Sequence, residues 1–199
     1  MNMNSETVFR AITAILLLSA LTISIYFRHK ADQRGGQLDK SQGQRLLIIL
    51  RLLALIVLLP LLGYIINPSW VTWARFALPD WSRWVAAICA VAMIPAIYWL
   101  FSSIQDNISP TQATRRGHQL VTHGPYRWIR HPLYTFGTIF FLALALLSGV
   151  WWLGVGMLVS FAILFWRTGR EEANLLKRFG DEYRTYMQRT GRYLPRLSR

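Results

Sequence analysis

An all-α integral membrane protein is the fold class this sequence predicts, with five transmembrane helices, the last two a tight helical hairpin, and a C-terminal amphipathic cytoplasmic helix. Three observations predict it. Hydrophobic residues make up 53% of the 199, and the mean hydropathy is +0.29, beyond ordinary soluble domains. The apolar residues gather into runs long enough to cross the roughly 30 Å hydrocarbon core of a bilayer. The charge between those runs is lopsided, with 22 Lys and Arg against 9 Asp and Glu, as cytoplasmic loops of a membrane protein show.

The runs follow in order. Ala11–Phe27, Leu46–Ile66 and Trp84–Ile104 each approach the length of about 20 apolar residues that a spanning helix needs. Leu133–Trp166 is different, with 34 consecutive residues free of acidic or basic side chains. As one helix it would measure roughly 51 Å at 1.5 Å per residue, so it folds back. Ser148-Gly149 near its middle supplies the turn, and two short helices keep their backbone polar groups satisfied internally. The connection "NPSWVTWARFALPDW" reads as interfacial, rich in aromatics and prolines. After the hairpin, "EEANLLKRFGDEYRTYMQRTG" sets Leu175, Leu176, Phe179, Tyr183, Tyr186 and Met187 at helical spacing with charges elsewhere, an amphipathic helix.

Basic residues orient the spans. Arg28–Arg45 carries five, Ile104–His131 four and Arg167–Arg199 nine, so these face the cytoplasm, with the N-terminus outside and the C-terminus inside. The first run is a membrane helix rather than a signal peptide, because a single basic residue leads it and five more follow it. Arg51 sits where its long stem can snorkel to the interface.

Several function classes recede. Cys89 is the single cysteine, so neither an intrachain disulfide nor a cysteine metal site can form. The net charge of +13 flanks apolar runs instead of forming one nucleic-acid-binding patch. No glycine-rich phosphate loop joins a strand to a helix. Internal repeats and charges at membrane midplanes, the marks of a transporter, are lacking.

Two places carry chemistry. In "GHQLVTHGPYRWIRHPLY", Gly117 to Tyr134, Pro125 and Pro132 interrupt regular helix while Gly117 and Gly124 permit close turns. Tyr126, His131 and Tyr134 offer aromatic surfaces with polar groups. His118, His123 and His131 lie five and eight residues apart without an acidic ligand motif, which argues against a metal and for a small-molecule pocket. Arg167 and Glu171, four apart, share a helix face at the membrane exit. As a surface pair they would contribute a few tenths of a kcal/mol. At a hairpin mouth, the guanidinium can instead grip an anion while the carboxylate holds a cationic or hydroxyl-bearing cofactor.

Together with "RTGREE" and "FGDEYRTYMQRTGRYLP", the histidine-containing stretch resembles the isoprenylcysteine carboxyl methyltransferases and their prokaryotic relatives, and more distantly the phosphatidylethanolamine N-methyltransferases. The resemblance runs from about Gly117 to the C-terminus. It implies a single methyltransferase domain over 1–199, with helices and loops in 1–116 and the cofactor-binding and catalytic region in 117–199. It implies S-adenosylmethionine as cofactor, held by His118, Gln119, Leu120, Val121, Tyr126, His131, Pro132, Leu133, Tyr134 and Glu171. It implies Arg167 as the residue beside the substrate and a lipophilic or prenylated acceptor in the membrane. Glu172 is a secondary candidate, and Gln112 does not align cleanly. Two alternatives stand beside an isoprenylcysteine-like acceptor: a phospholipid or small-lipid N- or S-methyltransferase, and a non-enzymatic membrane scaffold. The acceptor and the oligomeric state are open.

Overall fold

The chain, in a computed structural model, is described over residues 3–34, 44–104 and 120–196. These form α1 (Met3–Arg34), α2 (Gln44–Ile66), α3 (Asp80–Ile104), α4 (Pro132–Ser148), α5 (Trp151–Phe179) and α6 (Asp181–Arg189), with 3-10 turns at Pro68–Ala74 and Gly124–Arg127. Among the described residues there is no strand, and sheet-like pairing is confined to two isolated bridges, Arg75 with Val150 and Ile129 with Gly191.

α1, α3 and α5 are each long and apolar enough to cross a membrane, whereas Arg51–Ile66 of α2 and all of α4 are shorter apolar helices. Leu18, Ile25, Leu55, Ile88, Val91 and Leu158 are exposed on the outside, a surface that lipid solvates and water would not. Small residues line the inside. Ala86, Ala87 and Ala90 of α3 and Ala143 and Ala145 of α4 are buried, and these two helices form the most extensive contact in the bundle. In lipid, where apolar burial no longer drives helices together, such close approach is what holds them. Gly156 of α5 serves the same end, since a Cβ there would meet Val57 of α2 at 2.5 Å.

The turn between α4 and α5 lies where the sequence places it. Gly149 takes a left-handed conformation with φ 72°, which ends α4 without the steric cost a side chain would add. Its carbonyl accepts from the Phe76 amide at 3.0 Å. Beyond the apolar run, the expected cytoplasmic helix is two pieces. α5 continues past Trp166 to Phe179, and Gly180, at φ 54°, separates it from α6. Tyr183 and Tyr186 of α6 are buried while Asp181, Glu182 and Arg184 are exposed.

A polar cluster ties the end of the bundle remote from α6. Arg83 of α3 is 1% exposed. Its guanidinium donates to Glu6 of α1 at 2.9 Å, to the Tyr64 hydroxyl of α2 at 2.8 Å and to the Leu147 carbonyl of α4 at 2.8 Å, and it lies 4.0 Å from the centre of the Phe9 ring. Arg75 brings a second guanidinium to Glu6, at 2.8 Å. Arg10 donates to the carbonyls of Ile65 and Ile66, two of the orphan acceptors at the end of α2. One arginine thus holds four helices in register. Replacing it takes from Glu6 one of its two guanidinium partners and strands the Leu147 carbonyl at the end of α4, which is the costly way to break a buried ionic contact. We expect Arg83→Leu to destabilise the fold by about 3–5 kcal/mol. The readout is thermal denaturation of detergent-solubilised protein, and an unchanged melting temperature would show that the cluster is not a tie.

Candidate active site

The opposite end of the bundle is assembled by close backbone contacts. Gly124, at φ 62°, starts the 3-10 turn, and a Cβ on it would fall 2.0 Å from the Ser103 side-chain oxygen at the end of α3. Both the backbone angle and the space therefore require glycine. Trp128 meets Trp99 of α3 edge-on at 5.6 Å between ring centres. Pro132 then opens α4 in its first turn, where a missing N–H costs nothing. The segment after α6 pairs with this stretch: the Gly191 amide donates to the Trp128 carbonyl, Arg130 to Gly191 and His131 to Arg192, at 3.0, 2.9 and 3.0 Å. The Tyr186 hydroxyl donates to the Tyr126 carbonyl at 2.7 Å, docking α6 on the same turn.

Across the mouth of the hairpin, the Tyr134 hydroxyl donates to Glu171 Oε2 at 2.9 Å. The ring of Tyr134 stacks on His131 with centres 5.4 Å apart. Arg167 lies one turn before Glu171 on α5 and is half-buried; among the described residues it makes no hydrogen bond or ion pair. The Arg167–Glu171 face that the sequence predicts is present, but Glu171 takes its bond from Tyr134. Burial first, then the charges of Tyr186 and Glu171, hold the Tyr126 hydroxyl above its ordinary range and keep it protonated. Pro132 is buried, Leu120 and Val121 are half-buried and Leu133 is exposed. His118, Gln119 and Gln112 lie outside the described residues.

Behind this wall is a second cluster, centred on Glu172, which is 3% exposed. Arg130 donates to its Oε1 at 2.8 Å and Arg192 donates to its Oε2. His131 Nε2 stands 3.4 Å from Oε1, yet it is off the bonding line and has no hydrogen-bond partner among the described residues. Burial alone would raise the Glu172 carboxyl. The proximity of His131 and the bonds from Arg192 and Arg130 outweigh burial and bring it down to about 2. Arg130 also donates to the carbonyls of Met187 and Thr190, capping α6.

Tyr193 completes the cluster. Its hydroxyl donates to Thr168 on α5 at 2.7 Å, and its carbonyl accepts from the Thr135 hydroxyl on α4 at 2.8 Å. Arg130, Arg192, Thr168 and Tyr193 are residues that sequence reasoning did not single out. Their signal was faint, since no local pattern links Arg192 and Tyr193 of "RTGRYLP" to Thr168 of "RTGREE" or to Arg130.

The Glu171 carboxylate can accept further hydrogen bonds from a cationic or hydroxyl-bearing group. Glu171 has one oxygen bonded by Tyr134, which leaves acceptor capacity free, and the unbonded, buried His131 nitrogen lies beside the same ring stack. Among the described residues no group of three or more His, Cys, Asp and Glu side chains could hold a metal ion.

The chain matches the family model described as phospholipid methyltransferase over residues 81–182. It is 34% identical over 84 residues to the nickel-cobalt-cadmium resistance protein NccN of Alcaligenes xylosoxydans xylosoxydans, covering 42% of this chain and 39% of that protein. Over 90 residues it is 34% identical to the human protein-S-isoprenylcysteine O-methyltransferase, covering 39% of this chain and 28% of the human one. In each of these relatives the matched stretch spans less than half of the protein. Among solved structures, a eukaryotic intramembrane Ras methyltransferase, isoprenylcysteine carboxyl methyltransferase, superposes with a TM-score of 0.53 at 21% identity, over 73% of this chain and 51% of that one. The fold is shared.

The depressed Glu172 carboxyl carries a pH signature. Its folded value of about 2 lies below the ordinary 4.5, so its stabilisation is complete above 4.5 and is lost as pH falls through about 2. The melting-temperature difference between the protein and Glu172→Gln should hold constant from neutral pH to about 5 and shrink below that. A difference that collapses already between pH 6 and 7 would show that Glu172 is not the group responsible.

Proposed function

We propose, because the chain belongs to the phospholipid methyltransferase family, that it is an integral membrane methyltransferase using S-adenosylmethionine. We assign its acceptor as the carboxylate of an isoprenylcysteine-like or other lipidic molecule at the cytoplasmic interface. The observation that carries this reading is the Tyr134–Glu171 bond across the hairpin mouth, with Arg167 one turn earlier on the same helix. Five spans with the N-terminus outside agree with the basic loops.

The cofactor, when bound, supplies an activated methyl group whose departure leaves a neutral thioether. Glu171, steadied by Tyr134, would accept from the cofactor's hydroxyl or ammonium donors. The stacked rings of His131 and Tyr134, with Tyr126, would form the adjoining wall, and Leu120, Val121, Pro132 and Leu133 its apolar border. His118 and Gln119 belong to the same assignment. Arg167 would hold the acceptor carboxylate by paired hydrogen bonds and so aim an oxygen at the methyl. Such an acceptor is already ionised near neutral pH, so these residues have no proton to remove. Their work is orientation and exclusion of water, which can account for large rate factors.

A phospholipid amine acceptor is the second reading, and the description of the family model favours it. Arg167 would then meet a lipid phosphate.

Transfer of labelled methyl groups to prenylcysteines, phospholipids, fatty acids and small thiols separates the acceptors. Arg167→Ala should lower turnover about ten- to a hundredfold, as loss of one charged hydrogen-bonded contact implies, with little change in cofactor affinity. Glu171→Ala should weaken calorimetric binding of S-adenosylhomocysteine about tenfold or more. If the folded wild-type protein bound neither S-adenosylmethionine nor S-adenosylhomocysteine, the methyltransferase reading would be wrong.

A further inference from the structure

We propose that Tyr193 is a positioning residue, a cross-brace over the open mouth of the α4–α5 hairpin that sets the spacing at which Tyr134 and Glu171 meet. Its kinetic consequence rests on the methyltransferase reading, and its structural consequence on geometry alone.

The two helices of the hairpin are held differently at their two ends. Near the turn they touch directly through small residues: a Cβ on Gly154 would meet the Ala145 Cβ at 3.6 Å. At the mouth a third segment bridges them. The main chain of Tyr193 is fastened to α4, where its carbonyl accepts from Thr135 at 2.8 Å. Its side chain is fastened to α5, where its hydroxyl donates to Thr168 at 2.7 Å, and Thr168 donates onward to the Leu164 carbonyl at 2.8 Å. The ring lies 5.5 Å from Phe165 and 5.9 Å from His131, centre to centre. A tyrosine ring is a stiff spacer, with two side-chain torsions and no flexible stem.

The anchor points adjoin the site. Thr135 follows Tyr134, and Thr168 lies one turn before Glu171. The two bonds of Tyr193 therefore run beside the Tyr134–Glu171 bond and fix the same gap. The brace is itself fixed, because the neighbouring Arg192 donates to Glu172 and its carbonyl accepts from the His131 amide. A plain apolar plug would need the ring but not the hydroxyl, and the Tyr193–Thr168 bond distinguishes the two roles.

Tyr193→Phe keeps the ring and removes the brace. We expect it, and Thr168→Val, each to lower kcat about tenfold, the scale expected when reacting groups shift by a fraction of an ångström, with acceptor KM within about twofold. Thr168→Ser should restore kcat, and the double variant Tyr193→Phe, Thr168→Val should be no slower than the slower single one. The second measurement needs no turnover. Cys89 is exposed, so spin labels go on Ile139→Cys and Trp166→Cys in a Cys89→Ala background, at positions exposed on α4 and α5. Tyr193→Phe should broaden the distance distribution between them. Unchanged kcat together with an unchanged distribution, or losses that multiply in the double variant, would overturn the brace. If the wild-type protein methylates nothing in the acceptor panel, the enzymatic reading falls, and the label distances alone decide whether Tyr193 braces the hairpin.

Discussion

A carboxylate buried where a helix leaves the membrane must be neutralised by groups close at hand, and at Glu172 that requirement draws together segments far apart in the chain. Left unpaired, a charge in such a place costs several kcal/mol or picks up a proton. Arg130, 42 residues earlier, and Arg192, 20 residues later, supply the donors. Neither arginine could reach unless the segment before α4 and the segment after α6 lay side by side. The backbone pairing of Trp128–His131 with Gly191 and Arg192 accomplishes this. Arg130 then satisfies the last carbonyls of α6 with its remaining donors, so one guanidinium ties a carboxylate, a helix end and a loop.

The same logic operates at the far end of the bundle with other residues. There Glu6 is the carboxylate, and Arg83 and Arg75 are its partners. Between the two clusters the helices meet through alanine, glycine and aliphatic side chains, contacts that lipid tails can nearly match. Polar ties at both ends fix what apolar packing in the middle leaves loosely specified. They also divide the labour, because the Arg83 cluster holds α1 to α4 while the Glu172 cluster holds the parts that would meet ligand.

Much of this was legible in the sequence, and for identifiable reasons. The apolar runs and Ser148-Gly149 followed from bilayer thickness and turn chemistry, which act locally on the chain. Tyr134 and Glu171 were legible as chemistry-bearing residues at the two sides of a hairpin, although their direct bond was not. The spacing of Arg167 and Glu171 suggested an ion pair, and a residue 37 positions away competed successfully for the carboxylate. Glu172 was legible only as the second of two acids, since its burial depends on two arginines that no local pattern links to it. Tyr193 was illegible for the same reason, as one partner lies on α5, with α6 in between, and the other on α4, with both α5 and α6 in between.

The adjacent acids show how one turn of helix separates two roles. Consecutive residues on a helix point about 100° apart, so Glu172 faces the docked C-terminal segment and Glu171 faces the mouth. Glu172 is 3% exposed, committed to two guanidiniums and held far below neutrality, which leaves it neither the access a ligand needs nor the proton affinity of a base. Glu171 has one bond and free acceptor capacity. Under the proposed reaction an amine acceptor would require a base at the mouth. Glu171 would then have to hold the cofactor and take up a proton together, or give up its bond from Tyr134. A carboxylate acceptor asks for neither, needing only a cation to orient it, and Arg167 is the half-buried cation one turn away. On these grounds an anionic acceptor places the smaller demand on this arrangement of residues.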